Sequence, residues 1–330
     1  MEKSNIMRVK HLVIVVILLF SGFIFAQNGV KGKEICINTE KCKIYGTLKV
    51  PKTKEKVPVA LIIAGSGPTD RNCNSPSVGL NCNSYKILSD SLNKYGIATL
   101  CYDKRGIAKS VTKQTENEVL FEHFAEDAKA WIEFLSQDSR FSEIVVIGHS
   151  EGSLVGMLAC QNNHKVSKFI SIAGIGSSAD EMLKEQSSKQ LESMPELKKQ
   201  FFYCLDELKQ GRLLEKVPAE FSVFFRPSGQ PYLISLFKYN PQEEIAKLKI
   251  PVLILQGDMD IQVSEDEAEL LHEANPNAKK VIIENMNHVL KNSETIDLNE
   301  QLKDSYNNPN SAVNKELVKE IIFFYVNSPN

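Results

Sequence analysis

Residues 145–152 read Val145-Val146-Ile147-Gly148-His149-Ser150-Glu151-Gly152, and the rest of the chain is best read outward from them. Three β-branched apolar residues predict a buried strand, and the residues after Gly152 carry apolar side chains at helical spacing. Between the two lies G-x-S-x-G. A serine there sits on a sharp, strained turn, and the flanking glycines let strand and helix approach without a Cβ clash. By composition alone a chain of this length shows the pentapeptide roughly one time in ten, so its placement between strand and helix carries the inference. Ser150 is the candidate nucleophile.

Outward from this turn, apolar β-branched runs alternate with helical patterns, the signature of a β/α chain on a mostly parallel sheet with helices on both faces. Strands are expected at 44–50, 57–64, 97–102, 144–147, 169–173, 252–256 and 280–284, and helices at 85–94, 121–136, 153–162, 265–273 and 314–326. The alternation breaks once, between 173 and 252. That stretch holds a charged helical segment and then Phe221, Phe224, Phe225, Tyr232, Phe237 and Tyr239. It predicts a helical cap over the carboxyl edge of the sheet, whose aromatics either form the cap's own core or, for one or two of them, face a pocket. The expected units are a signal peptide at 1–26, a core at 27–175, a cap at 176–248 and the rest of the core at 249–330. A Ser- and Asn-rich run at 292–310 is expected to be a surface loop.

The chain has 330 residues, 42% hydrophobic and 24% charged, with a formal charge of -2. That is enough to bury a full core, and it leaves no excess of basic surface for nucleic acid. Lys3, Arg8 and Lys10 precede an apolar run and then Ser21, Gly22 and Ala26, the order of a secretory signal cleaved after Ala26. The 15 residues from Leu12 to Ala26 make a helix of about 22 Å, short of the roughly 30 Å of a bilayer core. The expectation is an exported protein, periplasmic or secreted, with no stable membrane insertion after cleavage; an uncleaved anchor is the alternative. In an oxidising compartment Cys36/Cys42 and Cys73/Cys82, both in segments read as turns or loops, are the pairs that can bridge, and a Cys73–Cys82 bridge is the expectation. No cysteine pair has the spacing of a zinc site, and no cofactor is expected.

A serine hydroxyl needs a positioned base, itself oriented by a carboxylate. Past the strand at 252–256 the sequence runs Gln256-Gly257-Asp258-Met259-Asp260-Ile261-Gln262-Val263, which offers Asp258 and Asp260. Of the histidines, His11 lies in the signal, His149 is locked in the turn and His272 falls on a charged helical pattern. His288 follows the strand at 280–284, at the sheet edge where ligands of open α/β sheets collect. Backbone donors for an oxyanion are expected from the N–H of Glu151 and from the loop Gly65-Ser66-Gly67-Pro68, with Ser66 first and Gly67 next. That glycine-rich loop matches neither phosphate-binding pattern.

The segments GSGPTDRN (65–72), YDKRGIAKS (102–110), GHSEG (148–152), PVLILQGDMDIQV (251–263) and NMNH (285–288) resemble exported bacterial esterases of the α/β-hydrolase superfamily. This branch is also grouped with serine aminopeptidase-like and dienelactone-hydrolase-like proteins. The resemblance spans 45–288. It implies an α/β-hydrolase fold and the chain order serine, acid, histidine, which removes His123 and His164 and selects Asp260 through G-x-x-D-x-x-V. It further implies hydrolysis of small carboxylic esters of short to medium acyl chain without metal or cofactor. A peptidase or thioesterase with the same triad, or a non-catalytic binding protein, are the alternatives. Two positions depart from the pattern: Cys73 and Ala108 stand where glycine is usual. Asp103 and Arg105 are expected to form an ion pair or backbone clamp near the oxyanion loop, and Glu151 either to point into solvent or to be neutralised by Arg71.

Overall fold

The computed structural model describes residues 30–327, so the signal-peptide reading lies outside the described residues. Its strands are β1 (Lys33–Asn38), β2 (Lys43–Lys49), β3 (Val57–Ile63), β4 (Asn74–Ser75), β5 (Leu80–Asn81), β6 (Ala98–Tyr102), β7 (Phe141–His149), β8 (Lys168–Ile172), β9 (Val252–Gly257) and β10 (Lys279–Ile283). Eight of them form one sheet in the order β1-β2-β6-β3-β7-β8-β9-β10, while β4 and β5 make a separate small ribbon. β2 pairs antiparallel with both β1 and β6, and every pairing from β6 through β10 is parallel. The chain therefore has the mostly parallel sheet that its apolar runs predict.

The strand side chains alternate between two cores. In β3, Val59, Leu61 and Ile63 join one cluster and Ala60 and Ile62 the other. Helix α1 (Ser84–Lys94) covers one face through Tyr85, Leu88 and Leu92. On the opposite face, α2 (Glu122–Ser136) and α3 (Glu151–Cys160) contribute Trp131, Ile132 and Leu154. Between β8 and β9 lie α4 (Ala179–Gln190), α5 (Pro195–Lys209), α6 (Gln230–Leu236) and α7 (Pro241–Ala246). Local sequence starts these helices cleanly. Ser178 and Glu181 form a capping box before α4, and Asn240 accepts the Gln242 N–H ahead of Pro241 in α7. Phe201, Leu205 and Leu208 of α5 pack into the same cluster as α2 and α3, so the insertion shares its core with one face of the sheet. The chain closes with α8 (Glu265–Ala274), α9 (Leu298–Gln301) and α10 (Lys315–Asn327), the last on the α1 side of the sheet.

Two expectations are corrected. Lys33–Asn38, read as turn or loop, is the edge strand β1; its exposed, polar faces hide it from a search for apolar runs. All seven cysteines are free thiols. Cys36 is exposed on β1 whereas Cys42 is buried, its thiol donating to the Val111 carbonyl at 3.5 Å, and the buried Cys82 thiol donates to the Cys73 carbonyl at 2.8 Å. Among the described residues no helix is long and apolar enough to cross a membrane.

Candidate active site

Ser150 joins β7 to α3 with φ 54° and ψ −127°, a left-handed backbone for a residue with a side chain. Hydrogen bonds hold this strain from both sides: its N–H donates to the Ile172 carbonyl on β8 at 2.9 Å, and its carbonyl accepts from Ser153 at 2.9 Å. Both glycines of the motif are sterically required. A Cβ on Gly148 would meet the Gly152 carbonyl oxygen at 2.3 Å, and one on Gly152 the Ile63 oxygen at 2.5 Å.

Asp260 and His288 come from the loops after β9 and β10, at the same carboxyl edge as Ser150. His288 Nδ1 lies 2.8 Å from Asp260 Oδ2, with both side chains buried. A carboxylate only accepts, so Nδ1 carries a proton in this bond, and Nε2 is the nitrogen left to act as a base when the ring is neutral. The Gln262 and Val263 amides donate to Asp260 Oδ1 at 2.8 and 2.9 Å, and Gln256 Nε2 donates to Oδ2 at 3.2 Å. Burial alone would raise the Asp260 pKa, but the His288 charge and these bonds outweigh it and hold the carboxyl below its usual range. Asp258 has no such role. Its buried Oδ1 finds no partner among the described residues. Among the described residues the Ser150 hydroxyl makes no hydrogen bond, to His288 included.

Across from His288, Gly65 approaches so closely that a Cβ on it would lie 3.0 Å from Ser150 Cβ. Ser66, Gly67, Ser150 and Glu151 line one cavity. The amides of Ser66 and Glu151 donate to no protein acceptor among the described residues, which leaves two N–H groups beside the nucleophile for an anionic oxygen. Arg71, one of the two alternatives for Glu151, is not its partner and bonds Asp103 through its guanidinium at 2.6 Å and its amide at 2.9 Å. Asp103 thus clamps the loop after β3 as foreseen, but its partner is Arg71, and Arg105 pairs with Asp127 at 2.6 Å. Cys73 and Ala108 both adopt left-handed backbone, φ 74° and 47°, the conformation for which glycine is usual.

The cavity has a volume of about 1000 Å³ and runs from this edge to the insertion, where Met182, Leu183, Val223, Phe224, Tyr232 and Leu236 form its far wall. Among the described residues no group of three or more His, Cys, Asp or Glu is placed to hold a metal ion.

The family model described as serine aminopeptidase, S33, matches residues 78–217, a span that includes the Ser150 turn. An esterase of Thermotoga maritima, EstD, is 27% identical over 270 residues, covering 79% of this chain and 60% of that protein. The chain thus spans less than two thirds of that relative's length. A proline iminopeptidase of Saccharolobus solfataricus is 24% identical over 237 residues, 62% of this chain and 74% of its own. Among solved structures, Est1E of Butyrivibrio proteoclasticus with ferulic acid bound superposes with a TM-score of 0.59 at 20% identity, covering 88% of this chain and 99% of that one. The Pyrococcus furiosus esterase Pf2001 gives 0.58 at 17% identity, covering 91% and 92%. The chain has the α/β-hydrolase fold, and the family model and the esterase relative support its place in the α/β-hydrolase superfamily.

As in other α/β-hydrolases the loops carry the candidate groups, but several residues that brace them escaped the reading of the sequence. His149 Nε2 donates to the His288 carbonyl at 2.9 Å, since a carbonyl only accepts; its Nδ1 accepts from the Tyr85 hydroxyl at 2.7 Å, and Tyr85 accepts the Gly65 N–H at 3.1 Å. One buried chain of bonds thereby links the loop after β3, the Ser150 turn and the His288 loop. Burial, with the nearby His288 charge, pushes the His149 pKa down to about 3, so its tautomer stays fixed near neutral pH. The run 292–310, read as a surface loop, braces the acid loop: Gln301 donates to the Met259 carbonyl at 2.9 Å, and Gln262 to the Tyr306 hydroxyl at 2.8 Å. These partners are far apart in sequence and leave no local pattern.

Proposed function

We propose that this α/β-hydrolase cleaves carboxylic esters of short to medium acyl chain through an acyl-enzyme on Ser150. The observation that carries the reading is the 2.8 Å bond from His288 Nδ1 to Asp260 at the edge where Ser150 is held on its strained turn. In the proposed mechanism His288 Nε2 takes the hydroxyl proton as Ser150 Oγ attacks the ester carbonyl. The N–H groups of Glu151 and Ser66 receive the oxyanion, and the imidazolium is stabilised by Asp260. Collapse expels the alcohol, which takes the proton back from His288. Water, deprotonated by the same nitrogen, then releases the carboxylic acid and regenerates the serine.

The insertion at 176–248 is proposed as the cap that selects substrate, because its apolar side chains line the far wall of the cavity. A volume of about 1000 Å³ exceeds what an acetyl group fills and supports acyl chains beyond the shortest. The aminopeptidase-type family model favours a second reading, an amide-cleaving enzyme with the same groups. A chain-length series of nitrophenyl esters, with an anilide and a thioester beside it, separates the two. The expected result is turnover of esters well above the anilide, with Ser150→Ala losing about three orders of magnitude or more while staying folded. Wild-type turnover in that variant would end the assignment.

A further inference from the structure

Lys104 is an unusual residue for its position. It follows β6 and is 5% exposed, yet no carboxylate lies within ion-pairing distance of it among the described residues. Its ammonium donates to the Gly65 carbonyl and lies 5.8 Å from the centre of the Phe124 ring. A buried ammonium is costly unless it is hydrogen-bonded and has a counter-charge. The charge that acts on it is that of Glu151, the residue after the candidate nucleophile, beyond ion-pairing distance, and both line the cavity.

The Gly65 carbonyl and the Ser66 N–H belong to the same peptide unit. In a trans peptide the two point in opposite directions, so whatever holds the carbonyl also sets the line of the N–H. This peptide needs holding: Gly65 has no Cβ to restrict it, Gly67 follows at φ 69°, and Ser66 is exposed. One side chain holds this peptide directly, the Lys104 ammonium on the Gly65 carbonyl, while the Tyr85 hydroxyl holds the N–H of the peptide before it, that of Gly65.

We propose that Lys104 is a positioning residue of the oxyanion hole: its ammonium fixes the Gly65 carbonyl and so aims the Ser66 N–H at the oxygen that becomes negative on attack by Ser150, while Glu151 supplies the counter-charge. This rests on the ester-hydrolase reading above. It also accounts for a carboxylate beside the nucleophile, which by itself would oppose an anionic intermediate. Glu151 is balanced by Lys104 rather than by Arg71. A cation on the carbonyl polarises the peptide and strengthens its N–H as a donor, and a donor held in place needs no reorganisation during the reaction.

The test compares wild type, Lys104→Met and Lys104→Gln on the preferred nitrophenyl ester, with an alkylboronic acid as a probe that becomes a tetrahedral anion on Ser150. Removing one oxyanion donor costs about 10²- to 10³-fold in kcat; loosening it should cost about 10- to 100-fold, with KM within about twofold. Boronate affinity should fall by a similar factor, a change that a merely structural residue would not produce. Lys104→Gln keeps a donor for the carbonyl without the charge and should fall between the two, and it carries the test if Lys104→Met does not fold. A folded variant with unchanged kcat and boronate affinity, or one whose loss lies wholly in KM, overturns the proposal. Failure of the underlying reading is distinct, because there wild type itself cleaves no ester and Ser150→Ala changes nothing.

Discussion

The carboxyl edge of the sheet and the helices inserted between β8 and β9 face each other across one cavity, and they are held together by different forces. At the edge, position is set by directional bonds between buried polar groups: Asp260 with its ring of donors, His149 between Tyr85 and His288, and Ser150 at positive φ. In the insertion, position is set by apolar packing, such as Phe201 against Phe225 at 5.0 Å, while ion pairs such as Arg212 to Glu207 lie nearer solvent. Directional bonds have few solutions, and packing tolerates many. The edge is thus suited to fixed chemistry, and the insertion can vary its lining, and with it the substrate, at little cost to the fold.

The largest effect expected from this contrast is at the acid. Asp260→Asn should lower kcat by roughly 10²- to 10⁴-fold, because an amide cannot hold the His288 tautomer and charge as a carboxylate does. Asp258→Asn, two residues away and joined to no histidine, should stay within a few-fold of wild type. Steady-state kinetics of the two variants decides the matter, and equal losses would mean that the edge is less specific than its bonds suggest.

The same contrast explains what could be read from the sequence. Gly148 and Gly152 announce themselves because no side chain fits there, and Ser150 with them, since a steric requirement leaves a mark at a fixed spacing. Asp260 and His288 follow from their places just past strand ends. Tyr85 and Lys104 could not be found this way, since they act on Gly65 from 20 and 39 residues away. Nothing in the sequence says whether Arg71 lies closer to Glu151 or to the buried Asp103. In the insertion, Phe224 and Phe225 are neighbours in the chain with opposite fates, 39% and 0% exposed, a distinction made by packing alone.

A second prediction uses acid to separate the regions. Unfolded histidine takes up a proton near pH 6.5, whereas His149 in the folded protein does so only at about 3. Its folded pKa is depressed, so the stability it contributes is complete above pH 6.5 and is lost as the pH falls toward 3. Asp260, also depressed, acts in the same direction at lower pH. Between pH 7 and 4.5 the wild type should lose about 2–3 kcal/mol more stability than His149→Gln, which can keep both hydrogen bonds without titrating. Urea melts of the two proteins at several pH values measure this. Parallel acid losses would shift the sensitivity away from the edge.

The smallest effect is expected in the insertion, where it concerns preference more than rate. Phe224 lines the cavity, while Phe225 is fully buried among the rings of Phe201 and Phe221, and Phe237 is buried as well. Trimming Phe224 to alanine opens room at the far wall, and each additional CH₂ buried there contributes about 0.8 kcal/mol, or roughly a fourfold rate ratio between successive chain lengths. The optimum in the ester series should move toward longer chains, with kcat on short esters nearly unchanged. Phe225→Ala removes a core ring instead: it should cost about 3–5 kcal/mol of stability and leave the chain-length order as it was. The pair therefore tests whether the insertion's wall can change independently of its core. If Phe225→Ala shifts the order as strongly as Phe224→Ala, the two are coupled through the ring cluster. If neither variant shifts it, the length limit lies at the opposite side of the cavity, where Ile107 and Val263 belong to loops that the edge holds in place.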